Sequence, residues 1–157
     1  MKTLWNTIDS FDEIYFNKIP FEGSWTASQV SEHVSKSLEG INKVVNAQTQ
    51  PTERDILQYV AGLRDMMYDF SIKTKSAPNL VPGNEPTTKA EMKSRLKQNN
   101  EDILRSIHEL DLSEVCVSSE FPGIGYLTRI ELISFAAFHT QRHIHQLKNI
   151  KQSFLNN

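Results

Sequence analysis

Apolar residues recur along most of this chain at intervals of three and four positions, which is the spacing of one face of an α-helix. Segments that contain proline or glycine separate these stretches. The pattern predicts five helices, over residues 3–17, 26–48, 52–73, 88–110 and 128–154. Between the third and fourth helices, residues 76–86 include three prolines and predict a long, polar and exposed connection. Residues 112–126 predict an irregular loop, so the chain is typical of an all-α protein.

Three of the helix starts carry the pattern of a capping box. In this motif a threonine accepts a hydrogen bond from the backbone three residues on, and an acid or amide at that position reaches back. The pairs are Thr26 with Gln29, Thr88 with Glu91, and Thr128 with Glu131. Each pair precedes an amphipathic stretch, so these three starts are predicted to within one residue.

The length and charge of the chain indicate how many domains it forms and which kinds of partner it binds. A chain of 157 residues favours one domain over residues 1–157, large enough to fold without a structural metal, so a metal would serve function. The net charge is −2 and the basic residues are dispersed, which argues against a nucleic-acid partner. The single cysteine excludes an intrachain disulfide and favours a reducing compartment. The polar N-terminal stretch predicts no signal peptide, and no segment predicts a membrane span, so we expect a cytoplasmic protein.

Histidines provide the candidate chemistry. His139 and His143 are four residues apart on the last predicted helix, so their imidazoles can reach one metal ion. Both lie on the inward stripe of that helix, which also carries Leu132, Ala136 and Ile150. On the second predicted helix, His33 lies on the apolar stripe in the same way. Because buried imidazoles need partners for their nitrogens, the sequence predicts a three-histidine metal site formed by His33, His139 and His143.

Other histidines and the cysteine are weaker candidates. A histidine on an apolar stripe is usually a core residue bonded to a carbonyl or an acid, and this alternative applies to each of the three. His145 and His108 fall off the apolar stripes and are expected at the surface. Cys116 is a competing third ligand, because thiolate binds zinc well, but it ranks behind His33 since a small buried hydrophobic role is more common.

Four segments together resemble a known family. They are Trp25-Thr-Ala-Ser-Gln-Val-Ser-Glu-His33, Lys75-Ser-Ala-Pro-Asn-Leu-Val-Pro82, Glu120-Phe-Pro-Gly-Ile-Gly-Tyr-Leu-Thr-Arg-Ile-Glu131 and His139-Thr-Gln-Arg-His143-Ile-His-Gln146. They are similar to the DinB-like family of the DinB/YfiT superfamily of metal-dependent enzymes, over nearly the whole chain. The resemblance implies a four-helix bundle with up-down-down-up order and a long crossover, of which the helix over residues 52–73 is an elaboration. It also implies a divalent metal held by the three histidines, and a homodimer.

Function follows from the ligand set and the resemblance together. Three neutral imidazoles leave zinc at least one open position for water or a substrate thiolate, and nickel, iron or manganese suit the same ligands. A metal-bound water could hydrolyse an ester or amide, and alternatively a low-molecular-weight thiol could bind as cosubstrate and become a nucleophilic thiolate. The resemblance favours the second route, a thiol S-transferase, and both act on a small molecule. Gln146, on the same stripe as His143, is expected to contact that histidine or a ligand. Two alternatives remain open: a non-catalytic bundle that binds a metal or ligand, and a structural protein whose histidines only fill the core.

Overall fold

A computed structural model describes residues 1–72 and 75–155 of the chain. Within these residues the helices are α1 (Lys2–Asp9), α2 (Glu13–Phe16), α3 (Ala27–Val45), α4 (Val60–Tyr68), α5 (Lys89–Glu109) and α6 (Arg129–Leu155), with a 3₁₀ turn at Pro78–Leu80. Two short strands, β1 (Thr49–Gln50) and β2 (Val115–Cys116), pair antiparallel with Thr49 opposite Cys116. The predicted all-α class is confirmed. None of the described helices has both the length and the apolar composition needed to cross a bilayer.

Contacts between side chains fix the directions of the bundle helices α1, α3, α5 and α6. Helices α3 and α5 run parallel, because Asn99 donates to the Ser35 carbonyl at 2.9 Å and, seven residues further on both helices, Ser106 donates to Asn42 at 3.0 Å. Parallel neighbours that are consecutive in a bundle need a long connection between their ends. Residues 46–88 provide that crossover.

The first and last bundle helices, α1 and α6, run antiparallel to α3 and α5. Arg129 begins α6 and donates at 2.8 Å to the carbonyl of Val45, the last residue of α3, so α3 and α6 are antiparallel. Lys93 near the start of α5 pairs at 2.7 Å with Asp9 at the end of α1, so these two helices are also antiparallel. The order is therefore up-down-down-up, as the family resemblance implies.

Apolar faces of the bundle helices meet in a shared core. The three capping boxes are all present, since the backbone N–H groups of Gln29, Glu91 and Glu131 donate to the threonine hydroxyls at 3.1, 3.2 and 3.3 Å. They fix which residues begin each helix and therefore which side chains face inward. Fully or almost fully buried members of the core include Leu4, Ile8, Val30, Val34, Leu63, Met92, Leu96 and Leu147.

The prediction of a single helix over residues 3–17 is wrong. The chain forms α1 and the one-turn α2 instead, and the break falls at Ser10–Asp12. The Ser10 hydroxyl donates to the Thr7 carbonyl at the end of α1, and the extended backbone of Asp12 separates α1 from α2. The spacing of the predicted helix allowed either Ile14 or Tyr15 on the apolar face; Tyr15 packs against the core, and Ile14 is 71% exposed.

The helix predicted over residues 52–73 is shorter than expected. It is helical only at α4, and residue 73 lies outside the described residues. Residues 52–59 are held by tertiary contacts instead, because Arg54 donates two hydrogen bonds, of 2.9 and 2.6 Å, to the buried carboxylate of Glu131. Burial alone would raise the pKa of Glu131, but hydrogen bonds from Arg54, Thr128 and Tyr59 lower it. The carboxylate therefore fastens the crossover to α6.

The predicted exposed loop over residues 76–86 is partly docked on α3. Pro82 is buried, and Lys36 donates to the Val81 carbonyl at 2.8 Å. The backbone of Gly83 contacts both Gln29 and Glu32. Polar composition did not prevent docking, because α3 offers side chains that satisfy the loop's backbone groups.

Candidate metal centre

Antiparallel packing of α3 against α6 brings together His33, His139 and His143. Nε2 of His139 lies 3.2 Å from Nε2 of His33 and 3.1 Å from Nε2 of His143. One ligand atom from each of the three residues lies within 4.8 Å of the other two. Nitrogens bound to one tetrahedral zinc at about 2.0–2.1 Å would be about 3.3–3.4 Å apart. The cluster is therefore compact enough to hold one metal ion.

Hydrogen bonds from Nδ1 of His33 and His143 determine whether Nε2 of each ring carries a proton or a lone pair. Nδ1 of His33 lies 2.9 Å from the carbonyl oxygen of Leu80, which can only accept, so this Nδ1 carries the proton. Nδ1 of His143 lies 2.8 Å from Oε1 of Gln146 and donates in the same way. A neutral imidazole has one N–H, so Nε2 of both His33 and His143 presents a lone pair to the centre of the cluster.

His139 cannot satisfy both of these lone pairs. Its Nε2 lies between the other two and carries at most one hydrogen, which can be donated to only one neighbour. At least one nitrogen lone pair is then left facing another nitrogen in a largely buried site. A cation at the centre would accept all three lone pairs, so the donor set fits a metal ion.

Burial keeps these imidazoles uncharged. His33 and His143 are 4% and 8% exposed, and the His139 imidazole is enclosed between them although the residue keeps some surface. Burial lowers the pKa of His143 to about 4, and it lowers the pKa of His33 and of His139 in the same direction. Neutral imidazole is the form that binds metals, so no proton has to be released at neutral pH.

Two aromatic rings enclose the cluster. The Trp25 ring lies 5.3 Å from the His33 ring, and the Phe135 ring lies 5.4 Å from the His139 ring. Trp25 immediately precedes the cap of α3, and Phe135 is one turn before His139 on α6. Both limit the access of water to the imidazoles.

The charged residues next to the ligands in sequence, Arg142 and Glu32, contact other parts of the chain. Arg142 donates to the carbonyls of Met67 and Asp69 at 3.0 and 2.8 Å, and also to that of Ile72, which ties the end of α4 to α6. Glu32 pairs with Lys36 at 3.0 Å. The hydrogen bonds and ion pair of Arg142 and Glu32 are therefore made to groups other than the imidazoles.

The weaker candidates lie apart from the cluster. His108 and His145 are exposed, as expected, and the His145 ring stacks on Phe70 with centroids 3.9 Å apart. Cys116 is fully buried on β2 and is not among the residues of the cluster. Burial raises the pKa of its thiol to about 11, so the thiolate that a metal needs is disfavoured.

Some contacts of the site were not predicted. The Leu80 carbonyl orients His33, but a backbone atom leaves no signal in the sequence, and residues 76–86 were expected to be exposed. Trp25 was noted only as part of a family segment, and Phe135 was not singled out. Its position one helical turn from His139 is the signal that could have identified it.

A helical bundle with three converging imidazoles fits a metal-binding protein. Comparison with known sequences agrees, because the family model of the DinB superfamily matches residues 2–147. The chain belongs to the DinB superfamily. It is also similar to an uncharacterized protein, YuaE of Bacillus subtilis (strain 168), at 22% identity over 148 residues, which cover 94% of this chain and 90% of that protein. No solved structure matches the chain.

Proposed function

We propose that this protein binds one divalent transition-metal ion through Nε2 of His33, His139 and His143, and that the ion serves catalysis on a small molecule. The observation that carries the proposal is the convergence of three Nε2 atoms while the outer nitrogens of His33 and His143 donate elsewhere. Zinc, nickel, iron and manganese all accept imidazole ligands. Histidines that only filled the core would leave lone pairs opposed.

The ligand number favours a reactive site. Structural zinc sites are usually closed by four protein ligands, whereas catalytic sites have three and keep one position open. When bound, the ion would supply a Lewis acid that activates a water or thiol toward the substrate. The protein's own groups prepare the site: the Leu80 carbonyl and Gln146 orient the rings of His33 and His143, and Trp25 and Phe135 limit water. The reaction classes supported best are thiol S-transfer and hydrolysis.

Metal binding can be measured through Trp25. Because its ring lies 5.3 Å from the His33 ring, Co²⁺ bound at the cluster should quench its fluorescence, with an end point at one equivalent. Trp25→Phe should lose the quenching but keep the visible absorption of bound Co²⁺. His143→Ala should lose both signals. Absorption that stays unchanged in His143→Ala would contradict the proposed ligands.

Turnover separates an enzyme from a metal-binding protein without catalysis. Zinc-loaded protein should be assayed on activated esters, and on electrophiles in the presence of glutathione, bacillithiol or mycothiol. Activity that depends on metal and is lost in His143→Ala supports catalysis. If metal binds at one equivalent and no substrate turns over, the non-catalytic alternative is favoured.

A further inference from the structure

A cavity of about 230 Å³ lies beside the histidine cluster, between α3, α6 and the loops around residues 79–80 and 119–122. Two residues of its wall are each one helical turn away from a histidine of the cluster. Ser37 lines it and is four residues after His33, and Phe135 lines it and is four residues before His139. Four residues of helix advance about 6 Å, so a molecule in the cavity lies within one side chain of the cluster.

Residues at the cavity wall also contact the histidines directly. Leu80 lines the cavity and accepts the hydrogen bond from Nδ1 of His33. The Phe135 ring faces the cavity and packs on His139. The cavity and the cluster therefore share walls.

Most of the cavity surface is apolar. Ile41 and Leu132 are buried and form its inner part, and Phe121 packs edge-on against Phe135 with ring centroids 4.8 Å apart. Among the polar residues of the wall, Asn79, Ser119 and Glu120 are exposed, whereas Ser37 is buried. Of the described residues that line the cavity, Glu120 carries the only charge. This carboxylate lies at the exposed rim, so the inner wall offers a ligand no charged side chain.

We propose that this cavity binds the apolar part of a small molecule, a single aromatic ring or a branched alkyl group, with its polar end directed at His33, His139 and His143. An apolar cavity of about 150 Å³ is known to hold a benzene molecule, so the volume here suits one ring with a short substituent. As a statement about the substrate, this rests on the function proposed above. As a statement about binding, it stands on the cavity alone.

Gly40 offers a way to fill the cavity without touching the cluster. It lines the cavity from α3, and a Cβ built on it would meet no atom within 4 Å. The position therefore has room for a Cβ, and Gly40→Leu should direct its side chain into the cavity. Gly62 on α4 is a matched control, since it is also helical and open within 4 Å but does not line the cavity. Both variants should bind metal at the same stoichiometry as the parent.

Binding should be followed by NMR titration of zinc-loaded protein with benzyl alcohol as the probe. A fragment of this size is expected to bind the parent with a dissociation constant of about 1 mM. Gly40→Leu should weaken the binding of benzyl alcohol at least about tenfold, and Gly62→Leu should not change it. Equal binding of benzyl alcohol to Gly40→Leu and the parent, or no binding to the parent, would overturn the proposal.

The orientation of the bound ring is tested separately. With Co²⁺ in place of zinc, the protons of bound benzyl alcohol should relax faster than with zinc, because the ring lies about one helical turn from the cluster. The methylene protons beside the hydroxyl should be affected more than the para proton of the ring. The opposite ranking, or unchanged relaxation, would contradict the proposed direction of the polar end. If the parent binds no metal but chelator-treated protein still binds the ring through the cavity, the proposed function fails while the binding site stands.

Discussion

Acid should destabilise the metal-free protein through its buried histidines. Burial lowers the pKa of His143 from 6.5 to about 4. Between these values the unfolded chain binds a proton at this residue and the folded chain does not, so the free energy of unfolding decreases as the pH falls. The stabilisation is complete above pH 6.5 and is lost as the pH falls to about 4, which amounts to roughly 3 kcal/mol for His143 alone. The lowered pKa values of His33 and His139 act in the same direction.

Urea unfolding of chelator-treated protein at about pH 7.5 and about pH 4 measures this loss. Because glutamine does not titrate, His143→Gln should lose roughly 3 kcal/mol less than the parent between the two conditions. Since His108 is exposed, His108→Gln serves as the control and should lose as much as the parent. An equal loss in His143→Gln and the parent would refute the reasoning, because burial of this imidazole would then not determine the acid sensitivity.

Three substitutions test other parts of the structure. Gln146→Leu removes the acceptor for Nδ1 of His143 and should weaken metal binding about 10- to 100-fold in a chelator competition, with unchanged affinity contradicting its orienting role. Glu131→Leu leaves Arg54 and two backbone N–H groups without their acceptor and should lower the free energy of unfolding in urea by about 3–5 kcal/mol. A loss below about 1 kcal/mol would contradict the role of this carboxylate in holding the crossover to α6. Thr88→Ala removes the cap of α5 and should cost about 1 kcal/mol in thermal unfolding, whereas Thr87→Ala, whose contacts with Asn17 use its backbone, should cost much less.

Features set by local geometry were predicted well from the sequence. The capping boxes at Thr26, Thr88 and Thr128 depend on residues three apart, and a pair of histidines four apart on one helix is close whatever surrounds it. The meeting of His33 with that pair required only that two apolar stripes face each other. These parts of the fold and site are therefore readable from residue spacing.

A local break in one helix and the contacts between distant residues could not be predicted from apolar spacing. Apolar spacing continued through Ser10–Asp12, but the short polar side chains there favour a turn over one more helical turn. Residues 52–59 carried a helical pattern as well, yet Arg54 is drawn to Glu131, which is 77 residues away in sequence. The docking of residues 76–86 depends on α3 side chains in the same way. In the last two cases a tertiary contact outweighs a weak local preference, whereas the break at Ser10–Asp12 is local.

The most direct test of the metal centre is a crystal structure of the zinc-loaded protein with data collected at the zinc absorption edge. The account predicts one strong anomalous peak, about 2.0–2.1 Å from Nε2 of each of His33, His139 and His143, with a further ligand that does not come from the protein. A peak bound only by the exposed His108 or His145, or no peak between α3 and α6, would contradict it.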